Sequence, residues 1–274
     1  MPDFCIICGA SERRPVVSYD VPDVYERAAG LPAEGYWREW VSCSNCGFHY
    51  SRYSRAGDFF DAYYARGYRS SSGVRDETAY ARFKRIVSLP KSESETHTRI
   101  DWIKKVLATA RDWGGRSCNL LDIGGASGVF AALFHNEQWN SVVVDPAEEG
   151  LFIKKKLGIT YIAAPMEKVE LETQFQLASL NYVLEHLVDP TVVLRRIRRL
   201  LSPDGMLFIE VPDVSNFETL PEEHDIFNSC HLWMFGRTSL EALLNQVGFK
   251  VCSIKVGTVK RGHRGLMLLA ERAR

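Results

Sequence analysis

A predicted buried strand that runs into a glycine-rich turn constrains the fold of this chain more than any other feature. In the run NLLDIGGASGVFAALF, the strand reaches Asp122, the turn contains Gly124, Gly125 and Gly128, and an amphipathic helix follows. Small residues let the backbone approach a ligand closely, and the first N–H groups of a helix have no partner within that helix. The pattern predicts a turn that binds a nucleoside or dinucleotide, and the alternative is a tight turn without a ligand.

Strand-like and helix-like segments alternate from about residue 98 onward. The predicted strands are NLLDI, SVVVD, ITYIA, FQLASLN and MLFIEV, and predicted helices lie between them. This order predicts an α/β fold, in which a parallel sheet carries helices on both faces. The second strand ends at Asp145, where a carboxylate can bind the hydroxyls of a ribose. The alternative for Asp145 is a cap on the helix that follows Pro146.

Length and charge narrow the class of protein. A chain of 274 residues allows one large domain, alone or with a small one. Its 34 basic and 34 acidic residues balance, which argues against a protein that binds by neutralising the phosphates of a nucleic acid. The first residues lack a signal-peptide pattern, and no apolar run approaches the roughly 20 residues of a membrane span. We therefore expect a cytoplasmic protein without a membrane partner.

Four of the seven cysteines form two Cys-x-x-Cys pairs near the N-terminus, Cys5 with Cys8 and Cys43 with Cys46. Each pair can direct two thiolates at one cation, and four thiolates make a closed tetrahedral zinc site. Because a closed site has no open coordination position, we expect structural zinc that lies away from the chemistry. Reduced free thiols or a redox pair are the alternatives.

The pattern divides the chain into three parts. Residues 1–55 form a predicted zinc-binding module, which we call the N-terminal module, and residues 56–97 form an aromatic-rich connecting or lid segment. Residues 98–274 form the α/β domain. Within the connecting segment, Tyr63, Tyr64 and Tyr68 are predicted either to pack at the junction or to cover a substrate.

The run LDIGGASG resembles the nucleoside-binding turn of class I S-adenosylmethionine-dependent methyltransferases, an acid-x-Gly-x-Gly-x-Gly pattern. Asp122, Gly124 and Gly128 match it, and Ala126 replaces the middle glycine. Because alanine has a Cβ, we expect a negative φ at Ala126. The stretches NYVLEHLVDPTVVLRRIRRLLSPDGMLFIEVPD and HLWMFGRTSLEALLNQVGF resemble later parts of the same family. The resemblance covers about residues 98–274 and implies a Rossmann-like, mostly parallel seven-stranded sheet.

The resemblance also implies S-adenosylmethionine as cofactor and a set of residues around it. Asp122 would lie on the ammonium side or behind the turn, Asp145 would bind the ribose, and Asn181 would lie near the transferred methyl. Met166 and Glu167 would contact the adenine, unless they belong to an ordinary loop. The predicted cofactor-binding residues are Asp122, Gly124, Gly125, Gly128, Asp145, Met166, Glu167 and Asn181.

The N-terminal module resembles that of zinc-containing sugar C-methyltransferases, whose large C-terminal domain this sequence lacks. In those enzymes the positions of His186 and His231 are active-site histidines, with a glutamate before the second. Here the residues before His231 are Asn228, Ser229 and Cys230, which favours O-methylation and leaves N- and C-methylation open. His186 could instead hydrogen-bond at a helix start, and His231 could pack a lid.

His224 is a third candidate for the acid–base group. The sequence thus predicts a methyltransferase for a small molecule, such as a sugar, a nucleotide-sugar or a secondary metabolite, with His231 favoured as base. One alternative is an RNA methyltransferase that grips nucleic acid with its zinc ribbon, against which the neutral charge speaks. The other is a non-catalytic binding protein on the same fold. The sequence leaves the oligomeric state open.

Overall fold

The computed structural model describes residues 4–55, 59, 61, 64, 77–258 and 264–273. Tyr63 and Tyr68 of the predicted connecting segment lie outside these ranges. Within them, the helices are α1 (Val24–Ala28), α2 (Ala79–Val87), α3 (Glu95–Ala110), α4 (Val129–Phe134), α5 (Phe152–Leu157), α6 (Pro190–Leu200) and α7 (Arg237–Gln246). None of these helices has the length and apolar character needed to cross a bilayer.

The strands of the described residues form two sheets. They are β1 (Arg13–Tyr19), β2 (Arg38–Cys43), β3 (His49–Tyr53), β4 (Cys118–Ile123), β5 (Trp139–Asp145), β6 (Thr160–Ala163), β7 (Phe175–Asn181), β8 (Leu201–Pro212), β9 (Trp233–Met234), β10 (Phe249–Thr258) and β11 (Arg264–Arg272). All five strands predicted from the α/β pattern are confirmed.

The larger sheet has seven strands in the order β10-β11-β8-β7-β4-β5-β6. Strands β6, β5, β4, β7 and β8 run parallel, whereas β11 is antiparallel to both β8 and β10. This arrangement confirms the Rossmann-like α/β fold. The chain first builds outward from β4 to β5 and β6, and then continues on the other side of β4 with β7. The strand order therefore reverses between β4 and β7, and ligands bind at such a point in open α/β sheets.

Helix α6 shows how local sequence fixes an element that supports the sheet. The Asp189 side chain accepts the N–H groups of Thr191 and Val192, and Pro190 occupies the first turn, where a missing N–H removes no helical hydrogen bond. The apolar residues of this helix recur at helical spacing and are buried against the sheet, among them Val193, Leu194 and Ile197. The end of β7 is thereby held between two ordered elements.

The smaller sheet has the order β1-β2-β3-β9 and is antiparallel. Its fourth strand comes from the α/β part of the chain, because Tyr50 pairs with Trp233 and His49 with Met234. The Phe48 ring also lies 6.1 Å from the Trp233 ring in a stacked arrangement. Buried residues of both sheets belong to one apolar cluster. The N-terminal module therefore shares a sheet and a core with the rest of the chain, and its predicted boundary at residue 55 stays a prediction.

Candidate functional site

A cavity of about 660 Å³ opens where the strand order of the larger sheet reverses. Its wall includes the ends of β4, β5 and β6 and the residues that follow β7. One side is lined by Gly124, Ala126 and Asp145, and another by Tyr182 and His186. The carboxyl ends of neighbouring parallel strands meet at one edge, so residues far apart in sequence converge on one space.

The glycines of the turn are required by the packing of the chain itself. Gly124 has φ +66°, and a Cβ there would lie 2.3 Å from Cγ2 of Val183. Gly128 has φ +70°, and a Cβ there would lie 2.6 Å from Cδ1 of Ile153. A residue with a Cβ is strained in a left-handed backbone conformation. In addition, Val183 and Ile153 occupy the space that a Cβ would need. Of the predicted glycines, Gly124 lines the cavity, whereas Gly125 and Gly128 are not among its lining residues.

The expectation of a negative φ at Ala126 was wrong. Its φ is +45°, in the left-handed region. For an L-residue this conformation costs roughly 1–2 kcal/mol. The strained residue donates its N–H to Oδ2 of Asp145 over 2.8 Å, and this hydrogen bond fixes the turn to the end of β5.

Asp145 is buried and holds two backbone segments at once. Oδ2 accepts the N–H of Ala126, and Oδ1 accepts the N–H of Ala147 over 2.8 Å. The second bond is a contact to the residue two positions later, and it is not the predicted helix cap, because Ala147 is the N-cap of the 3₁₀ turn Glu148–Leu151. A carboxylate has about four lone-pair sites, and these two bonds use both of its oxygen atoms. The carboxylate is thus fixed in place and lines the cavity.

Asp122 lies beneath the turn and is 1% exposed. The Ser179 hydroxyl donates to its Oδ1 over 2.6 Å. Burial raises the pKa of this carboxyl to about 7, a rise that the Ser179 hydrogen bond opposes and the charge of Asp145 reinforces. The Asn181 amide also lowers that pKa. Asp122 thus lies behind the turn, and it does not line the cavity.

Met166 and Glu167 lie in the short 3₁₀ turn Met166–Lys168 after β6, and both line the cavity. Met166 is buried and Glu167 is exposed at the rim. Asn181 ends β7, but the cavity is lined by the next residue, Tyr182. Tyr182 has φ +54°, a strained value for a bulky residue at a ligand-binding edge. Sequence reasoning missed this tyrosine, although its place after the fourth strand was a usable signal.

His186 and His231 lie side by side, with ring centroids 4.9 Å apart. Nδ1 of His186 lies 2.8 Å from the Cys230 carbonyl oxygen, and Nδ1 of His231 lies 2.7 Å from the Ile226 carbonyl oxygen. A carbonyl oxygen can only accept, so both Nδ1 atoms carry the hydrogen. In each neutral ring the lone pair then resides on Nε2.

Glu185 places a buried carboxylate beside this histidine pair. Its Oε1 lies 3.9 Å from Nε2 of His186, and ligand-type atoms of Glu185 and both histidines lie within 4.8 Å of one another. His186 lines the cavity, whereas His231 is not among the lining residues. The arrangement can accept a proton on Nε2 and stabilise the imidazolium that results.

His224 lies apart from the pair. Its Nδ1 accepts the N–H of Ile226, which caps the 3₁₀ turn Asp225–Phe227. Since Nδ1 accepts there, the neutral ring carries its hydrogen on Nε2. The structure thus gives His224 a local capping contact, and its predicted catalytic role stays a prediction.

The four N-terminal cysteines converge although 34 residues separate the two pairs. The Sγ atoms of Cys5 and Cys46 lie 3.6 Å apart, and those of Cys8 and Cys43 lie 3.5 Å apart. A tetrahedral zinc ion with Zn–S bonds of about 2.3 Å needs sulfur atoms about 3.8 Å apart. The described thiols therefore fit a closed four-sulfur site.

The N-terminal module also contributes to the cavity, which the sequence did not indicate. Tyr53, at the end of β3, and Arg55 line it, together with Tyr64. The Arg55 guanidinium lies 3.9 Å from the centre of the Tyr53 ring, and the Tyr64 ring meets the His186 ring edge-on at 6.3 Å. No local pattern distinguishes Tyr53 and Arg55, because their position depends on the pairing of β3 with β9, whereas Tyr64 was predicted either to pack at the junction or to cover a substrate.

The sheet order defines a Rossmann-like α/β protein, and its cavity lies where the strand order reverses. A family model described as a methyltransferase domain matches residues 95–254, more than half of the chain, and the chain belongs to this family.

Two curated relatives share part of the chain. The C-methyltransferase NovU of Streptomyces niveus is 28% identical over 149 residues, a match that covers 52% of this chain and 35% of that protein. The ubiquinone biosynthesis O-methyltransferase of Bordetella avium (strain 197N) is 27% identical over 118 residues, 40% of this chain and 47% of that protein. The matches thus span about a third and about half of the relatives' lengths.

A solved structure supports the fold over more of the chain. The 1,6-didemethyltoxoflavin-N1-methyltransferase of Burkholderia thailandensis was crystallised with 1,6-didemethyltoxoflavin and S-adenosylhomocysteine bound. It aligns with a TM-score of 0.58 at 20% identity and covers 84% of this chain and 98% of its own. At this identity the likeness shows the fold.

The titration of Asp122 gives a prediction for stability. An unfolded aspartate has a pKa of about 3.9, and the folded value is about 7, so the folded chain binds one more proton between these pH values. Stability should therefore fall as the pH rises from 4 to 7, by up to about 4 kcal/mol, and then level off. The Asp122→Asn variant should lack this fall in urea unfolding measured at pH 5, 6, 7 and 8.

A control for this experiment is Asp101→Asn, which changes an exposed aspartate on α3. That variant should keep the parental pH profile. If the profiles of Asp122→Asn and the parent stay parallel over this range, Asp122 does not titrate near neutrality.

Proposed function

We propose that this protein transfers a methyl group from S-adenosylmethionine to a hydroxyl of a small-molecule acceptor. The observation that carries the proposal is one cavity that is lined by a fixed carboxylate, Asp145, at the glycine turn and by His186 at the neighbouring strand end, with His231 directly beside His186. Membership in the methyltransferase-domain family supports the cofactor.

The residues around the turn fit the parts of the cofactor. Asp145 offers acceptor sites to the ribose hydroxyls, and Met166 gives an apolar surface for the adenine, with Glu167 at its edge. Gly124 and Ala126 bring backbone close to the methionine part. The cofactor supplies an electrophilic methyl on a sulfonium, which needs no further activation. The task of the protein is to align that methyl with the acceptor and to remove a proton.

The histidine pair is the proposed proton acceptor. As the acceptor oxygen forms its bond to the methyl carbon and the carbon–sulfur bond breaks, the hydroxyl proton passes to an Nε2 lone pair. His186 lines the cavity, and His231, which the sequence favoured as base, lies directly beside it. The Glu185 carboxylate, 3.9 Å from His186 Nε2, would stabilise the positive charge.

The names of the relatives do not identify one methylated atom, so the lining of the cavity has to indicate which acceptor would fit. Their names describe a C-, an O- and an N-methyltransferase. The described lining residues include five carboxylates against two cations, Asp61, Asp145, Glu148, Glu149 and Glu167 against Arg55 and Lys168. Such a lining disfavours RNA and anionic acceptors in general. We therefore favour an uncharged sugar or secondary metabolite over a nucleotide-sugar, and O- over N- or C-methylation.

The N-terminal cysteines would hold one structural zinc ion, as in the sugar C-methyltransferases that the module resembles. The backbone turn at each Cys-x-x-Cys pair supports this role. Gly9 donates to the Cys5 carbonyl and Gly47 to the Cys43 carbonyl, each over 2.8 Å, and both glycines have positive φ. All four proposed ligands would be thiolates, which leaves no position for a substrate.

The ribose assignment predicts a loss of cofactor affinity. Asp145→Ala removes charge-assisted hydrogen bonds, so binding of S-adenosylmethionine and S-adenosylhomocysteine should weaken by about 1.5–3 kcal/mol. Calorimetric titration measures both affinities. Asp145→Asn, which keeps one acceptor oxygen for the turn, separates loss of charge from loss of the turn. Unchanged affinity in both variants would exclude Asp145 from ribose binding.

The assignment of the histidines as base predicts that their removal lowers the turnover rate but leaves the affinity for the cofactor unchanged. His186→Ala and His231→Ala should each lower turnover by about 10²–10⁴-fold, the usual effect of removing a general base. Their affinity for S-adenosylhomocysteine should stay parental. The assay follows labelled methyl transfer to a panel of sugars and hydroxylated metabolites.

His224→Asn tests the third candidate, because asparagine keeps a cap for the Ile226 N–H. Parental turnover in this variant would limit His224 to its capping contact, and a loss of turnover would support its predicted catalytic role. Parental turnover in both His186→Ala and His231→Ala would mean that alignment alone drives the reaction.

The cysteine tetrad predicts one zinc ion per chain in protein purified without added metal, as measured by elemental analysis. Cys8→Ser should lose the metal, and a chelator should destabilise the parent. Cys252→Ser changes an exposed cysteine outside the tetrad and should keep one equivalent. A metal-free, folded parent with four titratable thiols in the tetrad would refute the assignment.

A further inference from the structure

The segment that carries His231 is held by the N-terminal module through hydrogen bonds to two of its residues, Phe227 and Ser229. The Phe227 carbonyl accepts hydrogen bonds from Arg38 Nη1 over 2.6 Å and from Trp40 Nε1 over 3.3 Å. The Ser229 carbonyl accepts from Arg55 Nη2 over 2.7 Å. The Asp23 carboxylate accepts from the N–H of Ser229 over 2.6 Å and from its hydroxyl over 2.8 Å. A loop between β8 and β9 thus takes its backbone partners from residues about 200 positions away.

The groups that hold this segment are themselves fixed by buried charge pairs. Glu26 is fully buried, pairs with Arg55 and accepts a hydrogen bond from Tyr36 over 2.6 Å. Arg38 is 2% exposed, donates to the same tyrosine hydroxyl over 3.0 Å and lies 3.8 Å from Asp23. Two acids and two arginines therefore balance, of which Glu26 and both arginines are buried and Asp23 is 21% exposed. In such surroundings each group has few alternative partners and its position is well defined.

The carbonyls that bond the two histidines belong to the same segment, and they lie on either side of the two carbonyls that the module holds. Ile226 accepts from His231 and Cys230 accepts from His186, whereas Phe227 and Ser229 face the module. Each peptide unit is planar and consecutive Cα atoms are 3.8 Å apart. Fixing the units of Phe227 and Ser229 therefore restricts the direction of the neighbouring carbonyls.

We propose that the N-terminal module positions the histidine pair, with Asp23, Arg38 and Arg55 holding residues 225–231 so that two backbone carbonyls keep both rings in the Nδ1–H form. The effect of this positioning on turnover rests on the proposed function, whereas its effect on the tautomer of the two rings does not. The proposal gives the module a task beyond zinc binding. A released segment would let either ring turn or change tautomer, and the lone pair would no longer point at the acceptor.

Nitrogen NMR of protein labelled at histidine nitrogen tests the proposal directly, because the two ring nitrogens report the tautomer. In the parent, His186 and His231 should both give the Nδ1–H pattern. Asp23→Asn keeps an oxygen to cap α1 but replaces an acceptor of the Ser229 N–H by a donor group. Arg55→Lys removes the two-nitrogen contact to Glu26 and Ser229. Both variants should show the Nε2–H form or averaged signals for both rings.

The matched control is Glu39→Gln. It breaks a partly exposed pair with Arg52 on the same module, and Glu39 lies outside the described contacts to residues 225–231. Its histidine signals should be parental. Parental signals in folded Asp23→Asn and folded Arg55→Lys would overturn the proposal.

Turnover separates this proposal from the assignment of the base. Asp23 does not line the cavity, so Asp23→Asn should lower kcat by about 10- to 100-fold, as expected for a small misplacement of a reacting group. Its affinity for S-adenosylhomocysteine should stay parental. Altered histidine signals with an unchanged kcat would support the positioning but contradict the histidines as base. Since Arg55 lines the cavity, Arg55→Lys can also raise KM, and Asp23→Asn is the decisive variant.

Discussion

The reversal of strand order between β4 and β7 is the constraint on which the rest of the site depends. Crossovers from β4 lead outward to β5 and β6, whereas the later strands β7 and β8 lie on the other side. The connections after β4 and β7 consequently diverge and leave a cleft between them. The glycine turn, the end of β5 and His186 after β7 all line this cleft. Asp145 and His186 line one cavity because of that topology.

The half of the site that would hold the cofactor is largely local in sequence, and so it could be predicted. Asp122, the glycines and Asp145 belong to one β–turn–α–β unit, in which strand ends and turns have clear signals. The same holds for the strands, the Asp189 cap and the paired cysteines. Each of these features depends on spacing within a few residues or on one strand-to-strand step.

Other features depend on contacts that no local pattern encodes. The positive φ of Ala126 follows from the hydrogen bond to Asp145 and from the packing of the whole turn, so propensity gave the wrong sign. Tyr53 and Arg55 reach the cavity because β3 pairs with a two-residue strand almost 200 positions later. The pairing of Arg38 with Phe227 is equally remote. Such contacts are specific to one fold and carry little signal in a single sequence.

This division within the site explains how one fold can serve relatives that methylate carbon, nitrogen and oxygen. The cofactor half is fixed by strand ends and tight turns, where Gly124 and Gly128 leave no room for change. In the proposed function, the acceptor would contact Tyr53, Tyr64 and His186, which line the cavity and come from separate elements. Side chains there can change without disturbing the larger sheet, because its ladder consists of backbone hydrogen bonds. Acceptor choice would therefore depend on the N-terminal module as well as on the α/β part of the chain, and the hydrogen bonds of Arg38 and Arg55 to residues 225–231 join these two parts.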